Sequence, residues 1–440
     1  MTASPTSMDT TAPAPVSFYQ AFRYWLKLGF ISFGGPAGQI AIMHHDLVEQ
    51  KRWISDQRFL HALNYCMLLP GPEAQQLAIY IGWLMHKTWG GIMAGVLFVL
   101  PSFFILVALS WAYMAHGDLP AVAGILYGIK PAVVAIVLFA AYRIGSRTLK
   151  NRVLWAIAIA AFVAIAALKL PFPLIILSAA LLGMAGGKWM PAYFTAGGHG
   201  GKPKHYGAAL IDDHTPTPPH AIFSKPRMWR ILAVGLGLWA AAMGLLLATQ
   251  GWQNILTQMG WFFTKAALLT FGGAYAVLPY VYQGAVEHFH WLTATQMIDG
   301  LALGETTPGP LIMVVTFVGF VGGWMQASSL TTALLAASVV TFFTFLPSFI
   351  FIFLGAPFIE STHQNLKLTA PLTAITAAVV GIIFSLALFF AYHSFWPRGF
   401  DAFAAALSAL ALFALIRLKT SVITVILACA VVGFFYHVFW

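Results

Sequence analysis

The chain has 440 residues, of which 60% are hydrophobic and only 8% charged, with a formal net charge of +10. A water-facing globular surface takes about 25% charged residues, so this supply excludes a soluble domain. The surplus of Lys and Arg in so apolar a chain marks cytoplasmic loops rather than a nucleic-acid surface, and two cysteines, Cys66 and Cys429, lack the number and spacing of a disulfide framework or metal site.

In chain order, residues 1–16 lack the basic start of a signal peptide and predict a disordered tail. An apolar leg at 17–33 is interrupted by Gly34-Gly35-Pro36 and resumes at 37–48; a second at 57–69 is interrupted by Pro70-Gly71-Pro72 and resumes at 73–86. A leg of about 15 residues is about 22 Å long, short of a ~30 Å hydrocarbon core, and Pro and Gly stop the helix at each triplet. Longer apolar runs follow at 90–115, 121–142, 153–168 and 171–186. The Gly- and Pro-rich stretch 188–228 predicts a flexible cytoplasmic linker, whose His199, His205, His214 and His220 have no ligand spacing. A single span is expected at 229–249, then runs at 329–358, 370–392, 402–416 and 420–440.

The second half repeats the first. Sliding the sequence so that Lys27 meets Lys265 (265 − 27 = 238) superimposes Phe33-Gly34-Gly35 on Phe271-Gly272-Gly273, Glu49 on Glu287, Trp53 on Trp291 and Pro70-Gly71-Pro72 on Pro308-Gly309-Pro310. After a small insertion, Leu100-Pro101-Ser102-Phe103 meets Leu346-Pro347-Ser348-Phe349. Lys and Arg are dense between 44 and 152 but reduce to Lys367 and Arg398 between 282 and 398. The positive-inside rule then sets equivalent loops on opposite faces, with the extra span supplying the odd crossing. The expected fold is an all-α polytopic membrane protein with two inverted-topology repeats and broken, re-entrant helices: repeat one over 17–187, the linker over 188–228, then the extra span and repeat two over 229–440. Such repeats are a transporter signature.

Each repeat is expected to contribute two hairpins whose tips meet near the midplane. Half-helix N-termini there present free N–H groups and a positive dipole, suited to an anion. The expected substrate-binding residues are Gly34, Gly35, Pro70, Gly71, Pro72, Gly272, Gly273, Pro308, Gly309 and Pro310 at the tips, with Gln75, Gln76, Thr306 and Thr307 as hydrogen-bond partners. Lys27 and Lys265 precede each Phe-Gly-Gly by six residues and read either as anion attractors or as snorkelling lysines. Glu305 is the candidate proton-coupling carboxylate, Glu73 reads as a dipole cap, and His44-His45 as a satisfied pair at a loop end. No metal or cofactor set is visible, and no carboxylate cluster or nucleophile–base pair suggests an enzyme.

Together these motifs resemble the chromate ion transporter family in its long-chain, bidomain form. The resemblance rests on FISFGGPAGQIAIMHHDLVEQKRWISDQRF, LLPGPEAQQLAIYIGW and VLPSF in repeat one, and on LLTFGGAYAVLPYV, GETTPGP and FLPSF in repeat two. It implies a secondary transporter in the bacterial inner membrane that exports chromate using the proton motive force and confers resistance. Its partners would be chromate, protons and the lipid bilayer, with sulfate as a competitor of nearly the same size and shape; a homodimer is compatible with it. A sulfate- or molybdate-type transporter, working as an uptake system, is the alternative reading.

Overall fold

The computed structural model describes residues 13–33, 35–117, 119–194, 206–213, 215–271, 273–362, 369–396 and 399–439, the side chains of 361, 362, 369 and 438 excepted. Sixteen α-helices are seen among them. Repeat one contains α1 (Phe18–Ile31), α2 (Gly35–His44), α3 (Asp56–Cys66), α4 (Glu73–His116), α5 (Pro120–Thr148), α6 (Arg152–Ala166) and α7 (Phe172–Trp189). After α8 (Lys225–Gln250) come α9 (Ile255–Leu268), α10 (Ala274–Tyr282), α11 (Ala294–Thr306), α12 (Val314–Ala327), α13 (Leu330–Thr362), α14 (Thr369–Phe395), α15 (Ala402–Ile416) and α16 (Val422–Phe439). Six of the described helices are long and apolar enough to cross a membrane, and their outer faces carry Trp111, Leu181, Leu245 and Leu388, side chains suited to lipid.

The duplication is written into the backbone irregularities as well as the sequence. A π-helical turn follows α2 at His45–Gln50 and α10 at Gln283–His288. Left-handed residues follow at Arg52 (φ 50°) and His290 (φ 53°), and N-caps recur at Ser55 and Thr293. Each pair has the 238-residue spacing of the motifs (293 − 55 = 238).

The short helices form hairpins that return to their own side. In repeat one the Tyr24 ring on α1 lies 5.2 Å from that of Trp53, beyond the return leg α2. His86, at the far end of the leg that begins at Glu73, donates to the Val16 carbonyl before α1 at 2.8 Å. In repeat two Trp291 meets Phe262 of α9 in the equivalent way, edge to face at 5.6 Å. At His86 and Lys87, where φ reaches 57° at Lys87, α4 folds back on itself, so it is two antiparallel arms. Gly82 makes their contact: a Cβ there would lie 2.5 Å from the Gly90 carbonyl oxygen. The remaining helices form the scaffold: α14 packs on α5, α6 and α7, and α5 on α16, where Gly128 and Gly433 bring the two backbones together. Among the described residues α8 buries only Gly235 and Met243, as a peripheral span should.

The linker departs from expectation. His199, His205 and His214 lie outside the described residues, but 206–213 and 215–224 are laid against repeat one rather than loose. Leu210 and Ile211 donate backbone hydrogen bonds to Arg52 and Trp53 at 2.9 and 3.1 Å, and Ser55 donates back to Ile211 at 2.9 Å. Arg58 donates to the Thr215 carbonyl and, at 2.8 Å, to Glu360 of repeat two. The composition suggested flexibility; the unpaired backbone of the 52–55 segment, which the linker satisfies, explains the order.

His220 fastens this strap by donating to the Trp83 carbonyl at 2.9 Å. Burial, aided by Lys87 and Arg227, lowers its pKa below the ordinary histidine value. A depressed histidine favours the docked strap above its unfolded pKa and loses that contribution as pH falls through the folded value. Acidification below about pH 6.5 should therefore loosen the strap, read as faster proteolysis within 206–224, and His220→Gln should flatten the pH dependence.

Candidate anion-binding site at the repeat junction

Four tips meet between the repeats, and each turns on a glycine in the left-handed region: Gly35 (φ 68°), Gly71 (φ 127°), Gly273 (φ 94°) and Gly309 (φ 94°). Side chains rarely adopt this conformation, which accounts for glycine at all four. The predicted Gly34 and Gly272 lie outside the described residues.

The tips are joined crosswise. The Gly71 N–H donates to the Thr270 carbonyl at 2.7 Å, and the Gly309 N–H donates to the Ser32 carbonyl at 2.8 Å. Thr270 and Ser32 are equivalent positions, as are Gly309 and Gly71, so each repeat's Pro-Gly-Pro is bonded to the residue just before the other's Phe-Gly-Gly. This reciprocity is what a pseudo-two-fold axis produces. The serines of the Leu-Pro-Ser-Phe motifs close the same junction: a Cβ on Gly71 would lie 2.6 Å from Ser348 Oγ, and one on Gly309 2.8 Å from Ser102 Cβ.

Side chains break the symmetry. Gln39 on α2 donates through Nε2 to the Ser32 carbonyl at 3.2 Å and to the Gly309 carbonyl at 2.5 Å, spanning both repeats; its repeat-two counterpart is Val277. Gln76 donates to the Pro70 carbonyl at 2.8 Å. Buried with them, and without hydrogen-bond partners, are Ser32 Oγ, Gln39 Oε1, both amide atoms of Gln75, Gln76 Oε1 and Ser102 Oγ. A buried unpaired polar group costs about 1–3 kcal/mol, so this concentration calls for a ligand or water. The helices add field. α4 and α10 begin at the tips with no side chain capping their first N–H groups, and α2 begins beside them at Gly35. A Cβ on Gly35 or Gly273 would meet nothing within 4 Å, so open space borders both Phe-Gly-Gly tips. Neutral donors, the free N-termini of α2 and α10 and open volume are the chemistry of a site for a compact anion, while Glu73 in the first turn of α4 offsets the field of that third helix end.

The other predicted residues are distributed unevenly. Pro70, Gly71, Pro72, Pro308, Gly309 and Pro310 form the junction; on the first turn of α4 Gln76 is bonded to it, and Gln75 is fully buried next to Gln76 in the chain. The hydroxyls of Thr306 and Thr307 are donated to the Leu303 and Gly304 carbonyls at 2.9 and 3.0 Å, which leaves them as acceptors only. Glu305 accepts from the Tyr275 hydroxyl within repeat two. Lys27 lies on the exposed side of α1, opposite the buried face of Ala21, Tyr24, Trp25 and Leu28, and the structure does not bring it to the tips. Lys265 is half-buried, its ammonium 5.8 Å from the Trp261 ring centre. His44 and His45 are engaged at the hairpin base, His44 with Asp56 at 2.7 Å and His45 with Glu49 at 2.9 Å; that last hydrogen bond holds the Glu49 carboxyl below its ordinary range. Sequence reasoning missed Gln39, Ser32 and Ser102. The repeated Leu-Pro-Ser-Phe pointed to Ser102, whereas nothing repeated marks Gln39.

If the clasp is as tight as the geometry states, Gly309→Ala should lower stability by about 1–3 kcal/mol, read as a fall in the unfolding temperature of the detergent-solubilised protein. Gly251→Ala, at φ 75° in open space, carries the strain without the clash and should cost less. Equal costs would contradict close packing at Gly309.

Comparison with known proteins agrees with this architecture. The chromate transporter family model matches residues 19–184 and 257–434, one match per repeat. A chromate transport protein of Cupriavidus metallidurans is 33% identical over 390 residues, covering 86% of each chain, and one of Pseudomonas aeruginosa is 34% identical over 84% of this chain and 80% of its own. An uncharacterised transporter of Methanocaldococcus jannaschii is 24% identical over 96% of this chain and 94% of its own. No solved structure matches the chain significantly. With two matched repeats and six long apolar helices, the chain is a multi-pass protein of the bacterial plasma membrane and belongs to the chromate transporter family.

Proposed function

We propose that the chain exports chromate from the cytoplasm, driven by the proton motive force, and so confers chromate resistance. The observation that carries this reading is the crosswise tip junction, with its unpartnered buried amides and hydroxyls beside open space and converging helix N-termini. A tetrahedral dianion suits such a site because its four oxygens accept hydrogen bonds in several directions without needing a counter-charged side chain. The two relatives named as chromate transport proteins support chromate among such anions. Because the junction is made of bonds between repeats, exchanging the repeats' arrangements would open it to one face or the other. Proton movement inward would supply the driving force for chromate moving out. The bound anion would draw on Gln75, Ser32 and Ser102 as donors, with Gln39 and Gln76 holding the tips. Sulfate, alike in charge and shape, would compete.

The experiment is chromate flux into energised inside-out membrane vesicles, with and without an uncoupler and excess sulfate. Uncoupler-sensitive accumulation is expected; accumulation of sulfate or molybdate with no chromate movement would overturn the substrate. In the same vesicles, Gln75→Ala should raise the half-saturating chromate concentration about tenfold, the equivalent of ~1.4 kcal/mol for one lost hydrogen bond to a charged ligand. An unchanged value would remove Gln75 from the site.

A further inference from the structure

Away from the tips, the repeats are bridged by two buried polar clusters, and they differ in how completely their carboxylates are satisfied. In one, both oxygens of Glu360 on α13 are engaged: Oε2 by Arg58 of α3 at 2.8 Å and Oε1 by the Tyr80 hydroxyl of α4 at 2.5 Å. In the other, Asp299 on α11 is 2% exposed, and its Oδ2 accepts from the Tyr113 hydroxyl of α4 at 3.0 Å. Its Oδ1 accepts no hydrogen bond, and the Lys130 ammonium of α5 stands 3.8 Å away. Lys130 and Tyr113 are the titratable groups acting on Asp299; α12, α14 and α16, which also pack on α11, bring none to bear on it among the described residues.

From this asymmetry we infer that Asp299, with Lys130 and Tyr113, is the proton-binding site that couples the gradient to transport. The inference rests on the proton-driven reading and gives that reading a residue. Three features carry it. An ionisable side chain buried at membrane depth is retained at a cost and marks a functional site. Oδ1 accepts no hydrogen bond and is open to the proton, whereas each oxygen of Glu360 already accepts one. Above all, Asp299 bonds between repeats, whereas Glu305 accepts its hydrogen bond from Tyr275 in the same repeat. A proton can drive a rearrangement of the repeats only where its binding changes the free energy of one arrangement relative to another.

The coupling follows from position. Ionised, Asp299 ties α11 to α4 and α5 of repeat one through Lys130 and Tyr113. A proton taken up on Oδ1 neutralises the carboxylate and cancels its attraction for Lys130, leaving the neutral tie to Tyr113. The released helix is the one that leads, six residues on (305 − 299 = 6) and about 9 Å along its axis, to Glu305 and the Pro308-Gly309-Pro310 tip. Proton uptake at one face and release at the other would thus loosen and remake the hold of repeat one on the helix that carries the repeat-two clasp.

The test compares wild type, Asp299→Asn and Asp299→Glu in vesicles, using radiolabelled chromate. Two readouts are needed: accumulation driven by the proton gradient, and one-for-one chromate exchange with no gradient. Asp299→Asn should lose at least tenfold in accumulation and keep exchange within about twofold, and Asp299→Glu should restore accumulation with a displaced pH profile. An Asn variant that still concentrates chromate in an uncoupler-sensitive way overturns the assignment alone. Loss of exchange together with accumulation, unrestored by Glu, makes Asp299 structural and also overturns it. Wild type that exchanges chromate but ignores the uncoupler overturns the proton-driven reading itself, a result separable from the others.

Discussion

Two backbone hydrogen bonds, Gly71 to Thr270 and Gly309 to Ser32, are the constraint on which this molecule turns. Breaking helices inside a membrane exposes N–H and C=O groups that lipid cannot satisfy. Each repeat solves this with the other's broken end. Either repeat alone would leave its Pro-Gly-Pro amide unpaired, and repeat two its Thr270 carbonyl as well, so the site and the association of the repeats are one arrangement. The surrounding scaffold, with α14 packed on α5, α6 and α7, holds the tips where they can meet.

The backbone is nearly two-fold and the side chains are not. π turns, left-handed residues and caps recur in register, but Gln39, Gln76, Glu73 and Glu305 face Val277, Val314, Leu311 and Met67 at the equivalent positions. Duplication supplied a frame present in two copies. The polar residues confined to one copy make the two halves of that frame chemically different. The interrepeat clusters follow the same pattern: Arg58, Tyr80 and Glu360 form a fully bonded strut, while Lys130, Tyr113 and Asp299 form a loose one.

Much of the architecture was legible in the sequence because it depends on residue types with strong local consequences. Gly and Pro end helices wherever they fall, and a repeated set of them fixes both the breaks and their equivalence. Contacts between residues more than two hundred positions apart have no such local mark, which is why Gln39 did not stand out and why the repeated motif around Ser102 did not show what it touches. Lys27 shows a different limit. Its duplication suggested a role at the tip, but Ala21, Tyr24, Trp25 and Leu28 set the helical phase of α1 and turn Lys27 outward. The linker misled through composition: Gly, Pro and His suggested a free loop, and the backbone of the 52–55 segment gave it a partner.

The most direct test of the central claim is to locate the anion. Crystals grown with chromate, measured at the chromium absorption edge, should show one anomalous peak between the tips. It should lie within hydrogen-bonding distance of Gln75 and Ser102 and near the first turns of α4 and α10. A peak beside Lys27 or on the basic face around Lys51 and Arg52, with the junction empty, would contradict the account.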